Sequence, residues 1–190
     1  MNRFPQISRL ALSAAGLLFV AVTATAQTAQ PAPAAPTAAT QTRIHEADQT
    51  FITDGTKTVS TQHDAARIAD SRTSDSQVKA FAQRVSTDDA KIIQAMRAAS
   101  PRGVDVPAND PDTTVLDSIK TLRGAEFDKA YIEQVALAGQ QKTISAFQAE
   151  IASGRDTKLK EVARQSLPIL QAHYAEAQKL AQRHHLASAQ

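Results

Sequence analysis

Apolar residues recur at three- and four-residue steps through four long stretches of this chain, and each seam is broken near its middle by a polar residue. Ile44, Phe51, Ile52, Gly55, Val59, Ala66 and Ala69 predict a first helix over 44–71. Ser74 with Gln77 three residues on reads as a capping box that opens a second helix. The seam of that helix is Val78, Phe81, Ala82, Val85, Ile92, Met96 and Ala99, and Ser100-Pro101-Arg102-Gly103 stops it. Asp110-Pro111 then pairs an N-cap with a proline at the first helical position, predicting a short helix that carries Val115, Leu116, Ile119 and Leu122 and ends at Gly124.

A third long helix holds Phe127, Tyr131, Val135, Ala138, Ile144, Phe147 and Ile151, and is expected to close at Ser153-Gly154 through a left-handed glycine. Asp156 caps a fourth, whose seam runs from Leu159 through Leu170, His173 and Tyr174 to Ala181. Pro168 inside it removes one backbone donor and leaves the Arg164 carbonyl without its usual partner, so a local bend is expected there. No stretch alternates with period two for long enough to make a sheet. The fold class is all-α: four long helices, with a short crossover helix between the second and third.

The ends of the chain read differently. Arg3 and Arg9 precede an unbroken run of low polarity from Leu10 to Val22, with Ala24 and Ala26 at cleavage positions, so residues 1–26 read as a secretory signal peptide. The run falls short of the about 20 apolar residues of a membrane span, and no later stretch approaches that length. Residues 27–43, QTAQPAPAAPTAATQTR, contain no aliphatic side chain larger than alanine and read as a disordered linker. That leaves a helical domain over 44–186 and a tail over 187–190. Without cysteine the chain has neither disulfides nor thiolate metal ligands. The expected location is the periplasm, with association to the outer membrane as a variant of it.

The formal charge of +2 resides in Arg3 and Arg9, so the remainder carries equal numbers of basic and acidic residues. With 4% aromatics and no block of like charge, this excludes a nucleic-acid surface and a polybasic membrane patch.

Three stretches, HDAARIADSRTSDSQVKAFAQRVSTDD, LRGAEFDKAYIEQ and LKEVARQSLPILQAHYAEAQKL, carry a family likeness, with Phe127-Asp128 and Tyr131, and Leu167-Pro168 and His173, as its paired anchors. From Ala47 to Leu180 the chain resembles an exported bacterial family, domain of unknown function forty-one forty-two. The resemblance implies a ferritin-like four-helix domain, often described as a periplasmic or outer-membrane protein, with no established activity. Where that family commonly has Asp-His on the second helix, this chain has Asp88-Asp89. The family's third-helix His falls at Gly139 or Gln140, and its first-helix Glu at Gln62. His173 alone is kept.

Polar residues that interrupt four facing seams point toward one another inside a bundle. Here they make a central layer of Gln62, Asp88, Asp89, Gln140 and His173. A di-iron carboxylate site needs Glu followed three residues later by His, and no Glu in the chain has that partner. His63, Asp89 and His173 remain as ligands for a single divalent metal ion, provided helix one turns His63 inward. Against this stands a buried neutral His173 bonded to Asp88 or Asp89, which orients the helices. A third reading makes His173 a pH sensor. Tyr131 reads as a core aromatic. No cysteine nucleophile, phosphate loop or nucleophile elbow is present. The expectation is therefore a non-enzymatic binding module without a cofactor, its partner an envelope protein or small ligand. The rival is a metal-binding or metal-dependent redox protein with a degenerate ferritin-like site.

Overall fold

The computed structural model describes residues 44–186, and the signal peptide, linker and tail read from the sequence lie outside the described residues. Among the described residues all regular structure is helical, in five helices. Helix α1 (46–72) is α-helical over Glu46–Thr50, widens to a π-helix over Phe51–Gly55 and resumes over Thr56–Arg72. Helix α2 is Ser76–Ala99, and the short α3 is Thr113–Ile119. Helix α4 (124–153) joins Gly124–Ala130, a π-helical stretch Tyr131–Gly139 and Gln140–Ser153. Helix α5 is Thr157–Arg183 and runs on through Pro168.

The starts of these helices follow from aspartates in extended backbone. Asp75 caps α2, accepting from the N–H groups of Gln77 and Val78, while Thr73 rather than Ser74 braces Asp75 itself. The cap thus sits one residue beyond the expected Ser74. Asp112, not Asp110, caps α3, because the N–H groups of Asp110 and Asp112 are bound to the hydroxyls of Ser60 and Thr61 on α1. Those bonds pin the crossover segment to α1 before α3 begins. Helix α3 ends at Ile119, and Gly124, at φ +54, opens α4 from the left-handed region that glycine enters without strain.

Gly154 departs from expectation in the other direction. Its backbone is extended, at φ −62 and ψ 152, so no left-handed cap closes α4. The reason for glycine is space, since a Cβ there would lie 2.2 Å from Glu150 Oε1. Asp156 then caps α5 as expected, accepting from Lys158 and Leu159.

Helix α1 packs along α2, α2 along α5, α5 along α4, and α4 along α1, with α3 lying against α1 and α4. The buried apolar side chains fall into two clusters. One gathers Phe81, Phe127, Tyr131, Ile132, Val135 and Leu180. The other gathers Phe51, Ile92, Met96, Phe147, Leu159 and Leu170, with the Phe51 and Phe147 rings edge to face at 4.9 Å. Burying one such ring contributes about 1.5–3 kcal/mol.

Candidate functional site

Each long helix contributes to both clusters, and on each a buried polar side chain marks the crossing. On α1 Gln62 falls between Val59 and Ala65, and on α2 Asp89 falls between Val85 and Ile92. On α4 Gln140 lies between Leu137 and Phe147, and on α5 His173 lies between Leu170 and Ala177. The two apolar clusters are thus separated by one polar layer, at most 3% exposed at any of these four residues.

Few of its polar atoms are satisfied. Gln62 Nε2 donates to the Val135 carbonyl at 2.9 Å, and Gln140 Nε2 donates to the Leu170 carbonyl at 3.3 Å. His173 Nε2 lies 3.2 Å from Asp88 Oδ2. Burial lowers the pKa of His173 against the opposing pull of Asp88, so a neutral ring donates from Nε2 and leaves Nδ1 as an acceptor. No hydrogen-bond partner reaches His173 Nδ1, either oxygen of Asp89, Gln140 Oε1 or Tyr131 Oη. Desolvation first, and the neighbouring Asp88 charge second, push the Asp89 carboxyl well above the usual range. Both causes favour the protonated form of Asp89. Burial, followed by Asp89, also raises the Tyr131 phenol. The Tyr131 ring stacks on Phe127 at 5.6 Å, and Phe81 stands edge-on to both Tyr131 and His173.

Adjacent residues on a helix diverge by about 100 degrees, and Asp88 and Asp89 do so here. Asp88 stays partly exposed, holding Lys91 as well as His173, while Asp89 turns inside. His63 faces away from the layer because Gln62 takes the inward position on α1. Its Nδ1 lies 3.1 Å from Asp64 Oδ1, with the ring 22% exposed. The structure thus joins His173 to Asp88 and leaves His63 apart. Among the described residues no three His, Asp or Glu side chains gather as a metal-holding group.

A second feature is open to solvent. Between α1 and α4 runs a groove of about 1080 Å³, flanked by both π-helical stretches. Its walls are small or apolar at Ala47, Phe51, Val135, Ala138, Ala146 and Ala149. The two helices meet beneath it at the Phe51 and Phe147 rings and at the bond from Gln62 to Val135. Gly139 lets them approach there, since a Cβ would lie 2.6 Å from Gln62 Nε2. The Val135 carbonyl accepts both from Gln62 and from the backbone N–H of Gln140 five residues on, the wider π-helical spacing.

Sequence reasoning missed the groove, the buried Glu150 on its wall and the buried Asp48 next to it. Asp48 Oδ1 accepts from the N–H groups of Arg155 and Asp156 at 2.7 and 3.0 Å, tying the start of α1 to the turn between α4 and α5. Glu150 lines the groove beside it, 1% exposed, its carboxyl within hydrogen-bond reach of Asp48. Burial, then the Asp48 carboxylate, raise Glu150 to about 7, with Lys160 opposing. A signal was present. Glu150 stands three residues after Phe147 and Asp48 three before Phe51, both on apolar seams.

No curated protein and no solved structure matches the chain. The family model described as Domain of unknown function (DUF4142) matches residues 33–180, most of the chain's length. The buried anchors Phe127, Asp128, Tyr131 and His173 lie within that match, and the chain belongs to the DUF4142 family.

Proposed function

We propose that this protein is an exported, non-enzymatic binding module of the cell envelope, its four long helices arranged as a ferritin-like bundle. The ring of pairwise helix contacts and the polar layer shared by all four helices support that arrangement. The N-terminal residues 1–26 support export to the periplasm. The observation that carries the binding reading is the groove. Its volume suits a small molecule, and its apolar walls favour one with a hydrocarbon portion. The polar layer, by contrast, is buried, with Asp89 and His173 at most 2% exposed.

The test is saturable binding of a neutral apolar dye such as N-phenyl-1-naphthylamine. Ala138 and Ala149 are exposed groove residues, so Ala138→Trp with Ala149→Trp fills the groove without entering the core. The expected result is one dye per chain, lost in that variant while its melting temperature holds. Dye binding unchanged by the plugs, or none at all, would overturn the reading.

A specific observation favours one second reading. Asp89 and His173 Nδ1 are unpartnered in the same layer, and a carboxylate with an imidazole nitrogen is a donor set for a divalent metal. The fit is incomplete, since Gln62 is bonded to Val135 and His63 stands apart. Protein purified without an affinity tag should hold no stoichiometric metal. A bound metal lost in His173→Ala would establish the rival.

A further inference from the structure

Three segments meet at one end of the bundle: the first turn of α1, the last turn of α4 and the turn that leads into α5. Asp48 is the one buried residue of Glu46–Thr50, and its Oδ1 takes the backbone N–H groups of Arg155 and Asp156. The Glu150 side chain folds back over Gly154, where a Cβ would lie 2.2 Å from its Oε1, and its carboxyl comes within hydrogen-bond reach of Asp48. Two carboxyl groups so placed can share one proton, and with none between them they repel. Both are buried, so water does little to screen that repulsion.

The charges acting on this pair come from both neighbouring helices. Lys160 on α5 draws Glu150 toward ionisation, while Asp156 at the start of α5 and Asp48 on α1 oppose it, and the change falls at about 7. Glu46, in the same turn of α1 as Asp48, adds another acid. His45 Nδ1 accepts from the Ala47 N–H, which needs a nitrogen without a proton, so His45 can only tighten this turn as pH rises. We propose that Glu150 and Asp48 form a one-proton clasp that holds residues 44–50 onto the turn between α4 and α5, and that loss of the proton releases this segment while the rest of the bundle stays folded. Release stops at Phe51, whose ring is seated edge to face on Phe147 and where the π-helical stretch begins. His45, Glu46, Ala47 and Thr50 line the groove, so the clasp also governs access to it, a consequence that rests on the groove reading above.

Amide hydrogen exchange of the full chain, followed by NMR at pH 5.5 and pH 8 and expressed as protection relative to the free-peptide rate, tests it. Gln49, whose N–H donates to the His45 carbonyl, and Arg155 and Asp156, whose N–H groups donate to Asp48, should lose about tenfold or more in protection at pH 8. At that pH they should also be about a hundredfold less protected than the core amides of Val85 and Leu180, which places the opening well short of global unfolding. Glu150→Gln keeps the shape of the side chain and a donor for Asp48 at every pH, so in that variant the tenfold loss should vanish. Protection that is the same at both pH values, a loss that persists in Glu150→Gln, or protection at pH 8 equal to that of the core overturns the clasp. The measurement needs no ligand, so its failure leaves the groove reading to be decided by the dye.

Discussion

Asp89 occupies the centre of the polar layer with neither a cation nor a hydrogen-bond donor on its carboxyl oxygens. Its folded-state pKa is raised, so the stability it contributes is fully present below the ordinary carboxylate value of about 3.9 and is lost as pH rises toward the raised value. The unfolded chain therefore gives up this proton at a lower pH than the folded one. Asp89→Asn removes that difference with almost no change of shape. The expected gain at pH 8 is about 1–3 kcal/mol, the scale of a buried polar group without partners, and close to nothing at pH 4. Thermal unfolding followed by circular dichroism at the two pH values checks it. A loss of stability at pH 8 would mean that Asp89 is held as a carboxylate by a partner, which is what a bound metal would do.

Helix α4 shows what the sequence states and what it leaves unsaid. Its apolar seam and its end near Ser153 are plain in the spacing of Phe127, Tyr131, Phe147 and Ile151, because side-chain burial sets that period. The π-helical stretch Tyr131–Gly139 is not, because it depends on a residue 73 positions away. Gln62 reaches the Val135 carbonyl, and Gly139 leaves room for it. The caps at Asp75 and Asp112 slipped for a similar reason, since Thr73 and the hydroxyls of α1 decide where each helix starts. Among the layer residues Gln62, Asp89, Gln140 and His173 are legible as breaks in a seam, whereas the choice of Asp88 for His173 needs coordinates. Glu150 and Asp48 sit one helical turn from Phe147 and Phe51, and their burial depends on the turn between α4 and α5 folding back onto the start of α1. The coupling of Gln62 to Gly139 is open to a double-mutant cycle. Gly139→Ala alone should cost about 1–3 kcal/mol, by forcing Gln62 off the buried carbonyl, and Gln62→Ala about as much. In the Gln62→Ala background Gly139→Ala should cost far less, giving a coupling of about 1 kcal/mol or more in urea denaturation. Strictly additive costs would mean that Gly139 serves something other than this contact.

At the scale of the whole molecule, the buried titratable groups pull stability in opposite directions with pH, and their sum places the optimum. Glu150, at about 7 when folded, contributes stability that is complete below its ordinary value of 4.5 and is lost as pH rises through 7. Asp89, raised as well, acts in the same sense. His173 acts in the opposite sense: its folded pKa is lowered, so its contribution is complete above the ordinary value of 6.5 and is lost as pH falls below that toward the folded value. Asp75, held low by the backbone N–H of Val78, loses its contribution only below the ordinary carboxylate value of 3.8. Between about pH 5 and 6.5 two carboxyls gain on acidification while one imidazole loses, so stability should still rise as pH falls. The melting temperature is therefore expected to peak at or just below about pH 5 and to decline toward pH 8. In the double variant Asp89→Asn with Glu150→Gln only the imidazole remains of the three, and the decline above pH 6 should vanish or reverse. A wild-type protein as stable at pH 8 as at pH 5.5 would show that partners hold Asp89 and Glu150 as carboxylates above pH 5.5.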